Sequence, residues 1–163
     1  MIFGEATTTV TATASEVLDI VCDLDRYRQA DTKIRKVVGV EHDGDDRIVR
    51  FRSRLRGVPT PPVRQRVRRT SNERVDITDV VSWQNRLVTF RGSVTCTREG
   101  SDTLVTHREE FHFHGRLRPL VERFLKRWLA DDIAGEVARM SQLLSIEAEL
   151  PQPRPSTAAT QHL

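Results

Sequence analysis

The chain has 163 residues, 37% hydrophobic and 30% charged, with a formal net charge of +3 and a pI near 9.3. That size and balance predict a single domain with an ordinary core, and exclude collagen-like or wholly disordered chains. No apolar run approaches the ~20 residues that span a bilayer. Met1-Ile2-Phe3-Gly4-Glu5 lacks the basic start and apolar block of a secretory signal, so a cytoplasmic protein is expected. The two cysteines, Cys22 and Cys96, lie far apart within apolar patterns and read as buried free thiols. No closely spaced Cys/His pairs occur, so neither a metal nor another cofactor is expected.

Residues 2–12 are rich in Thr and β-branched side chains and predict a first strand. Thr13-Ala-Ser-Glu16 has the pattern of a capping box, opening a short helix that buries Val17, Leu18, Val21 and Leu24. Asp23 to Asp31 is polar and broken, enough for one or two more helical turns. From Ile34 the apolar period becomes two, predicting strands at about 34–42, 47–56, 63–70, 74–81, 87–98 and 103–113. Asp43-Gly-Asp-Asp46 and Gly100-Ser-Asp102 supply tight turns. Val58-Pro-Thr-Pro-Pro62 reads as a loop outside any ladder. After Gly115, with Pro119 in its first turn, comes a helix of about thirty residues. Leu117, Val121, Phe124, Trp128, Ile133, Val137, Met140 and Leu144 are its expected buried stripe. The Pro-rich end, residues 149–163, reads as a disordered tail behind a domain at 1–148. Hairpin-length gaps leave no room for parallel crossovers. The expected class is α+β: a seven-stranded, largely antiparallel sheet gripping one long helix.

Strand alternation separates the faces. Val49, Phe51, Ser53 and Leu55 point one way, and Arg50, Arg52, Arg54 and Arg56 the other. Val63, Gln65 and Val67 similarly oppose Arg64, Arg66 and Arg68. The predicted inner face continues with Ile77, Asp79, Phe90, Val94, His107, Glu109 and Phe111. His107 and Glu109, two apart on one strand and flanked by Val105 and Phe111, share a low-dielectric setting that shifts protonation. They are the candidates for ligand recognition or acid–base chemistry, or they satisfy each other inside a closed core. His112 and His114 fall on the opposite face, so the histidines form no metal motif. The arginine ladder could attract anionic phosphates, or it is a solvated face balanced by acids such as Glu41 and Asp43. It lacks interleaved aromatics, which disfavours nucleic acid and leaves peripheral contact with an anionic membrane.

Three segments resemble the START-like, or SRPBCC, helix-grip superfamily, in its polyketide cyclase/dehydrase branch. They are Thr13 to Tyr27, like the family's first helix and following tyrosine turn; Thr106 to Phe113, like its final strand; and Gly115 to Phe124, like the start of its gripping helix. Arg28 and Gln29 stand where members often have proline after that tyrosine. The resemblance spans about residues 2–146 and implies a cavity for lipids, sterols or polyketides, without a universal catalytic residue. The expected function is binding of a hydrophobic or amphipathic small molecule between sheet and long helix. The alternative is a cyclase or dehydratase using the same cavity. Expected ligand contacts are Phe51, Ser53, Gln65, Ile77, Asp79, Phe90, Val94, His107, Glu109, Phe111, Phe124 and Trp128. Oligomeric state is left open.

Overall fold

In the computed structural model, residues 1–149 are described, and the expected tail beyond Glu149 lies outside them. The chain runs β1 (Ile2–Val10), α1 (Ala14–Cys22), α2 (Leu24–Tyr27), β2 (Ile34–Asp43), β3 (Asp46–Leu55), β4 (Val58–Pro59), β5 (Val63–Ser71), β6 (Arg74–Asp79), a 3₁₀ turn (Trp83–Arg86), β7 (Val88–Glu99), β8 (Asp102–Phe113) and α3 (Arg118–Glu149). All strand pairs are antiparallel, in the order β1-β8-β7-β6-β5-β3-β2, with β4 paired to β3. The helix-grip class holds.

One loop behaves differently from expectation. Val58 and Pro59 join the ladder opposite Leu55 and Arg54, making an eighth, two-residue strand. Arg56 and Gly57 both have positive φ, 50° and 82°, as a two-residue hairpin turn requires. Pro59 needs no ladder N–H at this edge.

Local chemistry explains the other ends. The Thr13 hydroxyl accepts from the Glu16 N–H, and Glu16 accepts from the Thr13 N–H at 2.7 Å, closing the capping box on α1. The Asp23 side chain caps α2 in the same way. The predicted inner faces are buried or half-buried throughout, from Val49 and Phe51 on β3 to Val105, His107, Glu109 and Phe111 on β8.

The long helix lies against β1 and β8, at one edge of the sheet. Glycine at position 4 permits this. A Cβ there would stand 2.6 Å from Ile133 Cδ1 and 3.2 Å from the Leu129 carbonyl oxygen. The buried stripe is therefore Leu125, Leu129, Ile133, Val137, Met140 and Leu144. Leu117 and Phe124, expected inside, are exposed, and Trp128 is half-buried. Periodicity alone admits two apolar stripes on the first half of this helix, and close approach over Gly4 selects the other one. Full burial of a side chain such as Leu129 or Ile133 contributes about 2 kcal/mol.

Gly4→Ala should destabilise the fold by about 1–3 kcal/mol, because helix backbone must move as well as a side chain. A melting midpoint several degrees below wild type is the expected result. An unchanged midpoint would mean that the contact relaxes without cost.

Candidate functional site

Between α1–α2, the start of β2 and the inner faces of β3, β5, β6, β7 and β8 lies a cavity of about 200 Å³. Its walls include Val49, Phe51, Val67, Ile77, Phe90 and Phe111, all placed there by strand alternation. Thr60, Pro61 and Trp83 stand among the lining residues contributed by the 56–62 loop and the 3₁₀ turn. The Gln84 side chain donates to the Pro62 carbonyl at 3.0 Å, tying these two segments together. Asp79 accepts from the Phe90 N–H at 2.7 Å and from the Asn85 amide at 3.4 Å, so it anchors the turn. Burial raises its pKa, partly offset by the Phe90 hydrogen bond.

The polar end of the cavity is formed by Tyr27, Asp31, Lys33 and Glu109. They belong to a buried charge network assembled from three parts of the chain. Lys33 Nζ lies 3.2 Å from Asp31, 3.2 Å from Glu109, 2.9 Å from Asp132 and 2.7 Å from Glu136. His107 Nε2 is 3.5 Å from both Glu109 and Glu136, and the Tyr27 hydroxyl donates to Glu136. Asp31 also accepts from the Lys33 N–H at 2.8 Å, fixing the connector before β2. Arg139 Nε donates to the Ala30 carbonyl at 2.7 Å, holding that connector against α3.

Four carboxylates thus surround one ammonium and one imidazole at almost no exposure, where unbalanced charge is costly. Protons reduce the imbalance. Burial, reinforced by Glu136, pushes Asp31 up to about 7 against the pull of Lys33. Burial opposes charge on His107, but Glu136 and Glu109 outweigh it and raise its pKa. Lys33 is held charged the same way, burial being overcome by Glu109, Glu136, Asp31 and Asp132. For Glu109, burial is outweighed by Lys33 and His107, so it stays ionised below the usual range. Two donor sets are close enough to hold a cation, His107/Glu109/Glu136 with one nitrogen and the all-carboxylate Asp31/Asp132/Glu136. Lys33 reaches into both sets and supplies the positive charge that a metal would bring.

Residues 1–145 match the family described as polyketide cyclase/dehydrase and lipid transport. The chain belongs to that family. A search of curated proteins found no match. Among solved structures, a Thermus thermophilus protein superposes with a TM-score of 0.75 at 11% identity, covering 90% of this chain and 99% of that one. The Zhui aromatase/cyclase from Streptomyces sp. R1128 gives 0.70 at 15% identity, covering 90% and 95%. A START superfamily protein from Mycobacterium smegmatis gives 0.64 at 18% identity, covering 86% and 98%. At such identities the likeness is one of fold.

Of the residues proposed from sequence, Phe51, Ser53, Gln65, Ile77, Asp79, Phe90, Glu109 and Phe111 line the cavity of this family member. His107 lies behind Glu109, and Val94 is buried in the core away from the cavity. Phe124 and Trp128 face a separate shallow groove. No described residue of α3 lines the cavity, so the expected hollow between sheet and long helix is instead one between sheet and α1–α2. The arginine ladder is largely answered by acids. Arg50 and Arg64 pair with Glu41 at 3.9 and 3.3 Å, Arg66 with Asp43 at 3.3 Å and Arg68 with Asp46 at 2.6 Å. Arg52 and Arg54 have no acidic partner among the described residues. Sequence reasoning missed Tyr27, Asp31, Lys33, Asp132 and Glu136 as a unit. One signal was available: Glu136 interrupts the apolar stripe between Ile133 and Met140.

The network sets the pH response. Asp31 binds its proton more tightly in the fold than unfolded, where a carboxyl titrates near ~3.9, so stability falls as pH rises from about 4 towards 7. His107, with its raised pKa, adds a loss of the same sign as pH climbs through and above about 6.5. Melting midpoints should therefore drop between pH 6 and pH 8.5, and Asp31→Asn should flatten that slope. A wild-type profile flat across this range would contradict the assignment. Lys33→Met leaves the carboxylates facing one another and should cost about 3–5 kcal/mol, read from urea unfolding.

Proposed function

We propose that this protein binds an amphipathic small molecule, its apolar body against Phe51, Ile77, Phe90 and Phe111 and a hydrogen-bond-donating group at Glu109. The observation that carries the reading is the cavity's composition: apolar walls closed at one end by a few fixed polar groups, the usual make-up of a ligand site. Glu109 Oε2 is buried in this wall without a protein partner, an acceptor suited to a ligand hydroxyl or amine. The polar end carries more carboxylate than cation, which disfavours an anionic head group there. The enclosed volume suits one or two rings, since a cavity of ~150 Å³ accepts benzene. Family membership supports the same class of ligand.

A second reading, cyclisation or dehydration, rests on Asp31. It faces the cavity beside Tyr27 and Lys33 and titrates at about 7, suited to giving or taking a proton at neutral pH.

Native mass spectrometry of the purified protein should reveal a co-purifying small molecule that organic extraction removes. With that molecule in hand, Glu109→Gln should weaken binding by roughly 1–3 kcal/mol, through the charged acceptor that the ligand loses. If the site only binds, Asp31→Asn changes neither the ligand's mass nor its identity. If it turns the ligand over, Asp31→Asn stops product formation with affinity nearly intact. Binding unaffected by Glu109→Gln and by bulky replacement of Ile77 would remove the cavity as the site.

A further inference from the structure

Leu117 and the first turns of α3 carry an apolar stripe that the fold leaves largely exposed. Leu117, Leu120 and Phe124 are 71%, 67% and 55% exposed, and their spacing of three and four puts them on one side of the helix. From Gly115 to Trp128 the chain has five cations (Arg116, Arg118, Arg123, Lys126 and Arg127) against the single acid Glu122. Arg56, Arg123 and Arg127 flank Leu120 and Phe124 along a shallow groove, against one acid, Asp131, at its far end. Arg116, Arg123, Lys126 and Arg127 have no carboxylate within 4.0 Å among the described residues, whereas Arg50, Arg64, Arg66 and Arg68 of the sheet's ladder are paired.

This patch is continuous with the cavity's rim. Arg56 sits one residue beyond cavity-lining Leu55, with its guanidinium 4.0 Å above the Phe124 ring and donating to the Phe124 carbonyl at 3.1 Å. On the other side, the His114 N–H donates to the Leu87 carbonyl at 2.8 Å, joining the start of α3 to the 3₁₀ turn. That turn exposes Leu87 and Trp83, the latter by 63%, and both also line the cavity.

We propose that this end of the molecule, residues 117–128 together with the 3₁₀ turn, docks on an anionic lipid bilayer. An exposed leucine–aromatic stripe bordered by unpaired arginines matches the two layers of such a surface, acyl boundary and acidic head groups. A nucleic-acid backbone would use the arginines and leave the apolar stripe in water. A second copy of the chain would bring two strongly positive helix faces together. Docking itself needs no ligand; that the docked rim exchanges ligand with the bilayer rests on the binding role proposed above.

The test is sedimentation of the full-length protein with vesicles of phosphatidylcholine alone or with added phosphatidylglycerol. Wild type should bind the acidic vesicles and be released by high salt. Leu120→Ser/Phe124→Ser and Arg123→Gln/Arg127→Gln should each weaken binding at least about tenfold, while Arg50→Gln/Arg66→Gln on the sheet, where both arginines are paired with acids, should bind as wild type. The replaced side chains are exposed or, for Arg66, half-buried and lie outside the core, so melting midpoints should move by only a few degrees and a loss of binding well below them cannot be laid to unfolding. Helix variants that sediment like wild type, loss confined to the sheet variant, or no binding to acidic vesicles would each overturn the proposal. A dimer that Leu120→Ser/Phe124→Ser dissociates, without vesicle binding, would reassign the face to self-association. Ligand retention measured without vesicles reports separately on the cavity.

Discussion

The structure turns on one buried ammonium. Lys33 reaches four carboxylates, and these come from the connector before β2, from β8 and from α3. An unpaired charge at such depth is strongly destabilising, so parting any of these segments leaves a buried charge unmatched. The network lies where two apolar clusters join. On α3, Glu136 falls between Ile133, which packs with Leu129 and Phe111, and Met140, which packs with Val105 and the α1 residues. The same contacts that hold the helix on the sheet also build the polar end of the cavity. A surplus of carboxylates raises the pKa of Asp31 to about 7, which links the fold's stability to the protonation of a cavity wall.

The helix placement has a second consequence. Settling over Gly4 at the sheet edge takes α3 away from the cavity and leaves α1 and α2 to cover it. The first half of α3 then presents one apolar stripe to β1 and another to solvent, beside the cavity's rim. An apolar surface bordered by uncompensated arginines is unusual for a face with no partner. The outer face of the sheet differs, with Arg50, Arg64, Arg66 and Arg68 met by Glu41, Asp43 and Asp46 on β2 and β3. Two basic surfaces of similar composition therefore have different electrostatic character, decided by what stands next to each.

Family membership accounts for the fold, and the residues at the cavity's polar end come from distant parts of the chain. Arg28 and Gln29 follow the chain's single tyrosine, and that tyrosine donates into the buried network. Its partner Glu136 lies 109 residues further along.

Composition and period alone determined the α+β class, the strand faces, the capped first helix and the strand residues that face the cavity. These depend on short-range rules: side chains alternate along a strand, and caps close within three residues. From Val49 and Phe51 to Glu109 and Phe111, a residue's own neighbours set which way it points. The tertiary structure decided what depends on distant partners. It chose which of two apolar stripes on α3 is buried, since that choice turns on a glycine in β1 more than a hundred residues earlier. It also gathered Tyr27, Asp31, Lys33, Asp132 and Glu136 around His107 and Glu109. No local pattern marks such a set, because a buried charge is satisfied by neighbours in space and the sequence records only neighbours along the chain.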